Sequence, residues 1–106
     1  MDADLDYYVE TLNETTGKWN CVKTFKAPRH KDFLVKTRWF FNLIPCEVFD
    51  CYKHHDAAVQ KRAEAVEFAR TLQDANVQVR GFNQIFTQLG DAYHEEVVWR
   101  NGRWLV

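Results

Sequence analysis

The strongest constraint in this 106-residue sequence lies at its end, in Val97-Val98-Trp99-Arg100-Asn101-Gly102-Arg103-Trp104-Leu105-Val106. Asn-Gly between apolar runs selects a tight hairpin, because a type I′ turn needs positive φ at both central residues. The register follows: Arg100 faces Arg103, Trp99 faces Trp104, Val98 faces Leu105 and Val97 faces Val106. Period-two alternation gathers Val97, Trp99, Trp104 and Val106 on one side, so the terminus is expected to lie in the core.

Upstream, Asp6–Leu12 and Lys18–Phe25 read as a first hairpin joined by Asn13-Glu14-Thr15-Thr16-Gly17, with Tyr7, Val9, Thr11, Trp19, Cys21 and Phe25 on one face. Asp2-x-Asp4-x-Asp6 imitates the opening of a calcium loop but lacks its glycine and closing glutamate, and reads as a solvated N-terminus. Phe33–Phe41 alternates as a strand, with Phe33, Val35, Trp39 and Phe41 expected inside and Lys36 and Arg38 in solvent. Cys46–Tyr52 resumes extended after Pro45. Asp56 is the expected N-cap of a helix over Ala57–Ala75, whose apolar positions recur at helical spacing. After a short strand at Val77–Arg80, Phe82, Ile85, Phe86 and Leu89 fall at i, i+3, i+4 and i+7. That spacing predicts a second, short helix closed by Gly90.

The expected architecture is a single α+β domain spanning residues 1–106. A mostly antiparallel sheet of five to six strands carries the long helix on one face, has a short second helix and ends in the terminal hairpin.

Composition narrows function more by exclusion than by assignment. A net charge of −1 argues against a dedicated nucleic-acid binder. Three cysteines and no basic-then-apolar leader lead to the expectation of a reduced cytoplasmic protein. The longest apolar run, Trp39–Phe49, is interrupted and too short to span a bilayer, so no membrane partner is expected. Phosphate-cradling, dinucleotide, zinc-protease and hydrolase-elbow motifs are absent from the sequence. Cys46-x4-Cys51-x2-His54-His55 has metal-ligand chemistry but no second ligand pair, and is read as core cysteines beside surface histidines. An enzyme centred on Cys51, His54 and His55 ranks below any binding function, since nothing supplies an orienting carboxylate or an oxyanion loop.

What remains is aromatic excess: four Trp, four Tyr and eight Phe. Aromatic residues and arginine anchor protein interfaces. Some of Tyr7, Tyr8, Trp39, Phe40, Tyr52 and Tyr93 are expected at the surface. The resulting expectation is a small non-enzymatic protein without a cofactor, acting by protein–protein binding as an adaptor, regulator or inhibitor. Its contact residues are Arg38, Trp39, Phe40, Arg100 and Arg103, and its partner is another protein or a second copy in a homodimer. The alternative is a single-stranded nucleic-acid binder using Lys26, Arg29, Lys31, Lys36 and Arg38 within the basic and aromatic stretch 26–41.

Overall fold

The computed structural model describes the backbone of residues 2–87 and 90–106, and the side chains of 5–29, 31–83 and 93–106. Among the described residues, seven strands and one long helix form an α+β architecture. The strands are β1 (Asp2–Asn13), β2 (Lys18–Lys26), β3 (Leu34–Phe40), β4 (Ile44–Phe49), β5 (Val77–Thr87), β6 (Gly90–Arg100) and β7 (Arg103–Trp104). Helix α1 spans Cys51–Thr71. A five-stranded sheet runs in the order β2-β1-β5-β6-β7 with every described pairing antiparallel, while β3 and β4 form a separate two-stranded sheet.

The first hairpin forms as its turn chemistry dictates. Asn13 Oδ1 accepts from the amides of Thr15 (3.0 Å) and Thr16 (3.3 Å), and Gly17 takes a φ of 72°. Its two strands do not share the expected single face. A bulge at Val9/Glu10 pairs Val9 with Lys23 but Glu10 with Cys21. One extra residue inverts the side-chain alternation beyond it. Phe25 therefore joins Tyr7 against α1, whereas Trp19 and Cys21 join Glu10 on the opposite face. The N-terminal aspartates are not a separate unstructured tail. They belong to β1, which pairs with β5 from Asp2↔Phe86 onward, and Asp6 is buried with Arg29 Nη2 at 3.1 Å.

The short second helix is not formed. Residues 77–87 continue as one strand, paired along its length with β1 on one side and β6 on the other. Ladder bonds on both edges outweigh a local spacing that strand and helix share. Leu89, the last apolar position of that pattern, lies outside the described residues, and Gly90 opens β6 instead of closing a helix.

Helix α1 begins six residues earlier than expected. Its N-cap is Asp50, whose Oδ1 accepts from the Lys53 amide at 3.0 Å. The later turns pack against the large sheet: Ala65, Val66 and Ala69 are buried, with Phe68 and Leu72 alongside. They meet Tyr7, Val9, Val77, Val79, Val98 and Trp99, which complete the core. Gly81 lies opposite Tyr7, where a Cβ would come within 3.4 Å of the ring, so the bare backbone gives the tyrosine its place.

Burial pushes the Tyr7 hydroxyl above its ordinary value of 10.0, with Arg62 drawing it back and Glu96 adding to the rise. The native state thus holds this proton more tightly than the unfolded chain does. The resulting stabilisation is complete below pH 10.0 and is lost as pH rises through the folded-state value. In urea titrations, Tyr7→Phe is expected to lose stability less steeply than the parent chain above pH 10.0. Parallel curves would remove Tyr7 as the cause.

The terminal hairpin has the expected register, Trp99↔Trp104 and Arg100↔Arg103, with Leu105 N bonded to Val98 O at 2.9 Å. Asn101 and Gly102 have φ of 50° and 86°. Asn101 also ties the turn to β5: its Oδ1 accepts from Val77 N at 2.8 Å and its amide donates to Val77 O at 3.0 Å. The terminus itself is not in the core. Trp99 is buried, but Trp104, Leu105 and Val106 are exposed. β7 is a two-residue edge strand, and the register that pairs it does not supply a layer to cover it.

Candidate docking surface

Strands β3 and β4 form an arm. Asp50 N bonds to Phe33 O at 2.8 Å, and the Phe33 ring lies 5.6 Å from His54, which fixes the arm's base between a 3₁₀ turn at His30–Phe33 and the start of α1. From Leu34 to Glu47 every residue is exposed. The sequence pattern led to the expectation that Val35, Trp39 and Phe41 are buried; each is at least 62% exposed. Alternation names a face, but it cannot supply a layer to cover that face.

The tip concentrates the effect. Phe41 and Asn42 take φ of 54° and 56°, and Leu43 N closes the turn onto Phe40 O at 3.1 Å. Turns of this kind normally carry Gly, Asn or Asp. Here Phe41 and Leu43 are both 80% exposed, flanked by Phe40 and by Ile44 across the pair. Register places Lys36, Arg38 and Phe40 on one face with Val48, Cys46 and Ile44, and Trp39 on the other with Pro45. Pro45 has no N–H to offer an incoming strand. The sequence reading named Trp39 and Phe40 but missed Phe41, Leu43 and Ile44. Their signal was available: apolar residues on both sides of Asn42, where a turn is expected to be polar.

Arg100 and Arg103 do not belong to this surface. They stand at the β6–β7 end of the five-stranded sheet, and among the described residues no hydrogen bond, ion pair or ring contact joins them to residues 38–40. Arg100 is engaged within its own sheet. It donates to Gln78 Oε1 from Nε (3.1 Å) and Nη2 (2.7 Å) and lies 5.4 Å from the Trp19 ring centroid. The facing arginines are thus accommodated by an amide and an indole.

That contact is one end of a ladder across the sheet face opposite α1. Buried Gln78 passes its Nε2 to Glu10 Oε1 at 2.9 Å, and Arg80 clamps Glu10 from Nε and Nη2 at 3.1 and 3.4 Å. Arg80 also reaches Glu95 at 3.0 Å and covers the Tyr8 ring at 4.8 Å. Tyr8, Phe82 and Tyr93 continue the row as ring contacts. Burial pulls the Arg80 guanidinium down, but the hydrogen bond and charge of Glu10, with Glu95 and Tyr8, outweigh it and raise its pKa overall. Arg80 stays a cation and the ladder is a structural network. Sequence reading could not find it, because Glu10 and Gln78 are 68 positions apart.

The basic residues of 26–41 are dispersed. Lys26 ends β2, Arg29 is neutralised by Asp6, Lys31 lies in the 3₁₀ turn, and Lys36 and Arg38 sit on the arm. Cys46 and Cys51 are exposed, not in the core, as is Cys21. Among the described residues, no three His, Cys, Asp or Glu side chains converge as a metal site, and no helix is long and apolar enough to cross a membrane. Comparison with protein families, with curated proteins and with solved structures found no match to this chain.

Proposed function

We propose that the chain is a non-enzymatic binding protein of adaptor, regulator or inhibitor type, and that it works by inserting the β3–β4 arm into a protein surface. The observation that carries this reading is the arm's tip: Trp39, Phe40, Phe41, Leu43 and Ile44 are all more than 60% exposed within six consecutive residues. Isolated apolar residues at a surface are ordinary, whereas a contiguous cluster marks an interaction site. A two-stranded hairpin is also marginal alone in water, so an apolar partner surface supplies the stability that the arm lacks. Arg38 lies at the rim of the cluster, where a charge governs encounter and orientation more than affinity.

A photo-cross-linking residue at Phe41 tests this in the full chain, in cells where the chain occurs. A protein adduct is expected from position 41 and not from Thr16 in the β1–β2 turn, with undiminished yield at high salt. An adduct removed by nuclease and suppressed by salt would replace this reading with nucleic-acid binding through Lys36 and Arg38, since phosphate contacts weaken as counterions are added. The absence of any adduct would discard the arm as a docking element.

A further inference from the structure

We infer that the arm's partner is a second copy of this chain, two arms meeting about a two-fold axis to form a dimer. This rests on reading the arm as a protein-docking element and names its occupant. The argument is one of area. The chain exposes 7635 Å². A compact folded monomer of 12.6 kDa exposes about 6,200 Å², which leaves an excess of about 1,400 Å². Standard interfaces cover about 800 Å² on each partner and obligate dimers about 1,000–2,500 Å², so the excess is the size of one subunit's share of a permanent interface.

Shape agrees. The radius of gyration is 17.3 Å, against about 13 Å for a compact chain of this length. The longest extent is 61 Å, against 27 and 20 Å across. Exposed apolar residues run on in sequence past the arm: the arm ends at Phe49, and α1 follows with Tyr52 86% and Val59 37% exposed. Among the described residues, the two largest side chains with no exposure at all are the valines Val9 and Val79. The Trp39–Pro45 face carries neither Lys36 nor Arg38, and shares its side with Thr37 and Glu47. A two-fold interface uses the same patch twice, and the exposed Trp39, Phe41 and Leu43 give each copy an apolar tip to present.

Sedimentation equilibrium of the purified full chain tests the inference. The parent chain is expected at twice 12.6 kDa at micromolar concentration. The triple variant Trp39→Ser, Phe41→Ser, Leu43→Ser should retain its circular dichroism while its dimer dissociation constant rises ~100-fold or more, as for loss of central aromatic anchors. Val22→Ser, on the exposed β2 edge, should leave the dimer intact. If the triple variant fails to fold, a spin label at Thr37 in the otherwise unchanged chain decides: a short distance between labels on two copies supports arm pairing, and its absence overturns it. A parent chain sedimenting as a monomer also overturns it, as does a dimer that survives in the folded triple variant. A monomer whose Phe41 probe still labels a foreign protein removes the dimer and keeps the docking arm. A monomer without any protein adduct removes both.

Discussion

A Val79→Asp chain is expected to be unfolded at every temperature, with far-UV circular dichroism lacking the parent's strand and helix signal. Val79 is fully buried at the centre of the sheet, between β1 and β6. Two losses combine there. Removing a buried valine forfeits about 1.5–3 kcal/mol. Holding an aspartate in that position shifts its pKa by up to about 3–5 units, at about 1.4 kcal/mol each. The sum, about 6–10 kcal/mol, is comparable to the whole stability of a small domain, about 5–15 kcal/mol across domains generally. Val22→Asp supplies the control: the same substitution on a half-exposed edge valine should change stability by less than about 0.5 kcal/mol. A folded Val79→Asp chain with an ordinary thermal transition would mean that β5 is not where the structure has it.

The second large effect is expected at Glu10. Glu10→Ala should lower unfolding free energy by about 3–5 kcal/mol, the usual result of removing one partner from a buried ion pair. It leaves the Gln78 Nε2 group without its acceptor and Arg80 with Glu95 as its remaining carboxylate. Removing both sides should be milder: Glu10→Ala with Arg80→Met is expected to cost less than the two single losses added, because the stranded charge is gone. Urea denaturation of the four chains gives the coupling directly. Additive losses would mean that the carboxylate and the guanidinium act independently despite their geometry.

How much of this was readable in advance differs from element to element for physical reasons. Turns are local, so Asn13 to Gly17 and Asn101-Gly102 announced both hairpins, and the second came with its register. Helix α1 was recognised by its spacing but started late, because Cys51 and Tyr52 read as the end of an extended stretch and Asp56 was the expected cap in place of Asp50. β5 was misread beyond Arg80, since four apolar residues fit a short helix as well as a strand. Pairing with β6 on one edge and with β1, more than 60 positions distant, on the other decided between them. The arm was read as a strand with the wrong surroundings. Alternation states which residues share a side and leaves open whether anything covers them. The bulge at Val9/Glu10 gave no warning in the sequence, yet it moved Trp19 to the face where Arg100 meets it.

The sheet's strand order also bears on how the chain is made. β1 is synthesised first, but its second neighbour, β5, is complete only at Thr87. Between those moments the β1–β2 hairpin, the arm and α1 have all been made, while the strands that complete the core have not. Domains of this kind cannot fold until their distant pairings exist, and transiently exposed apolar segments are the usual seeds of aggregation. Here the most apolar segment, residues 39–44, is also the one that the finished sheet never covers. For this chain, completion of synthesis does not by itself end the nascent-chain hazard.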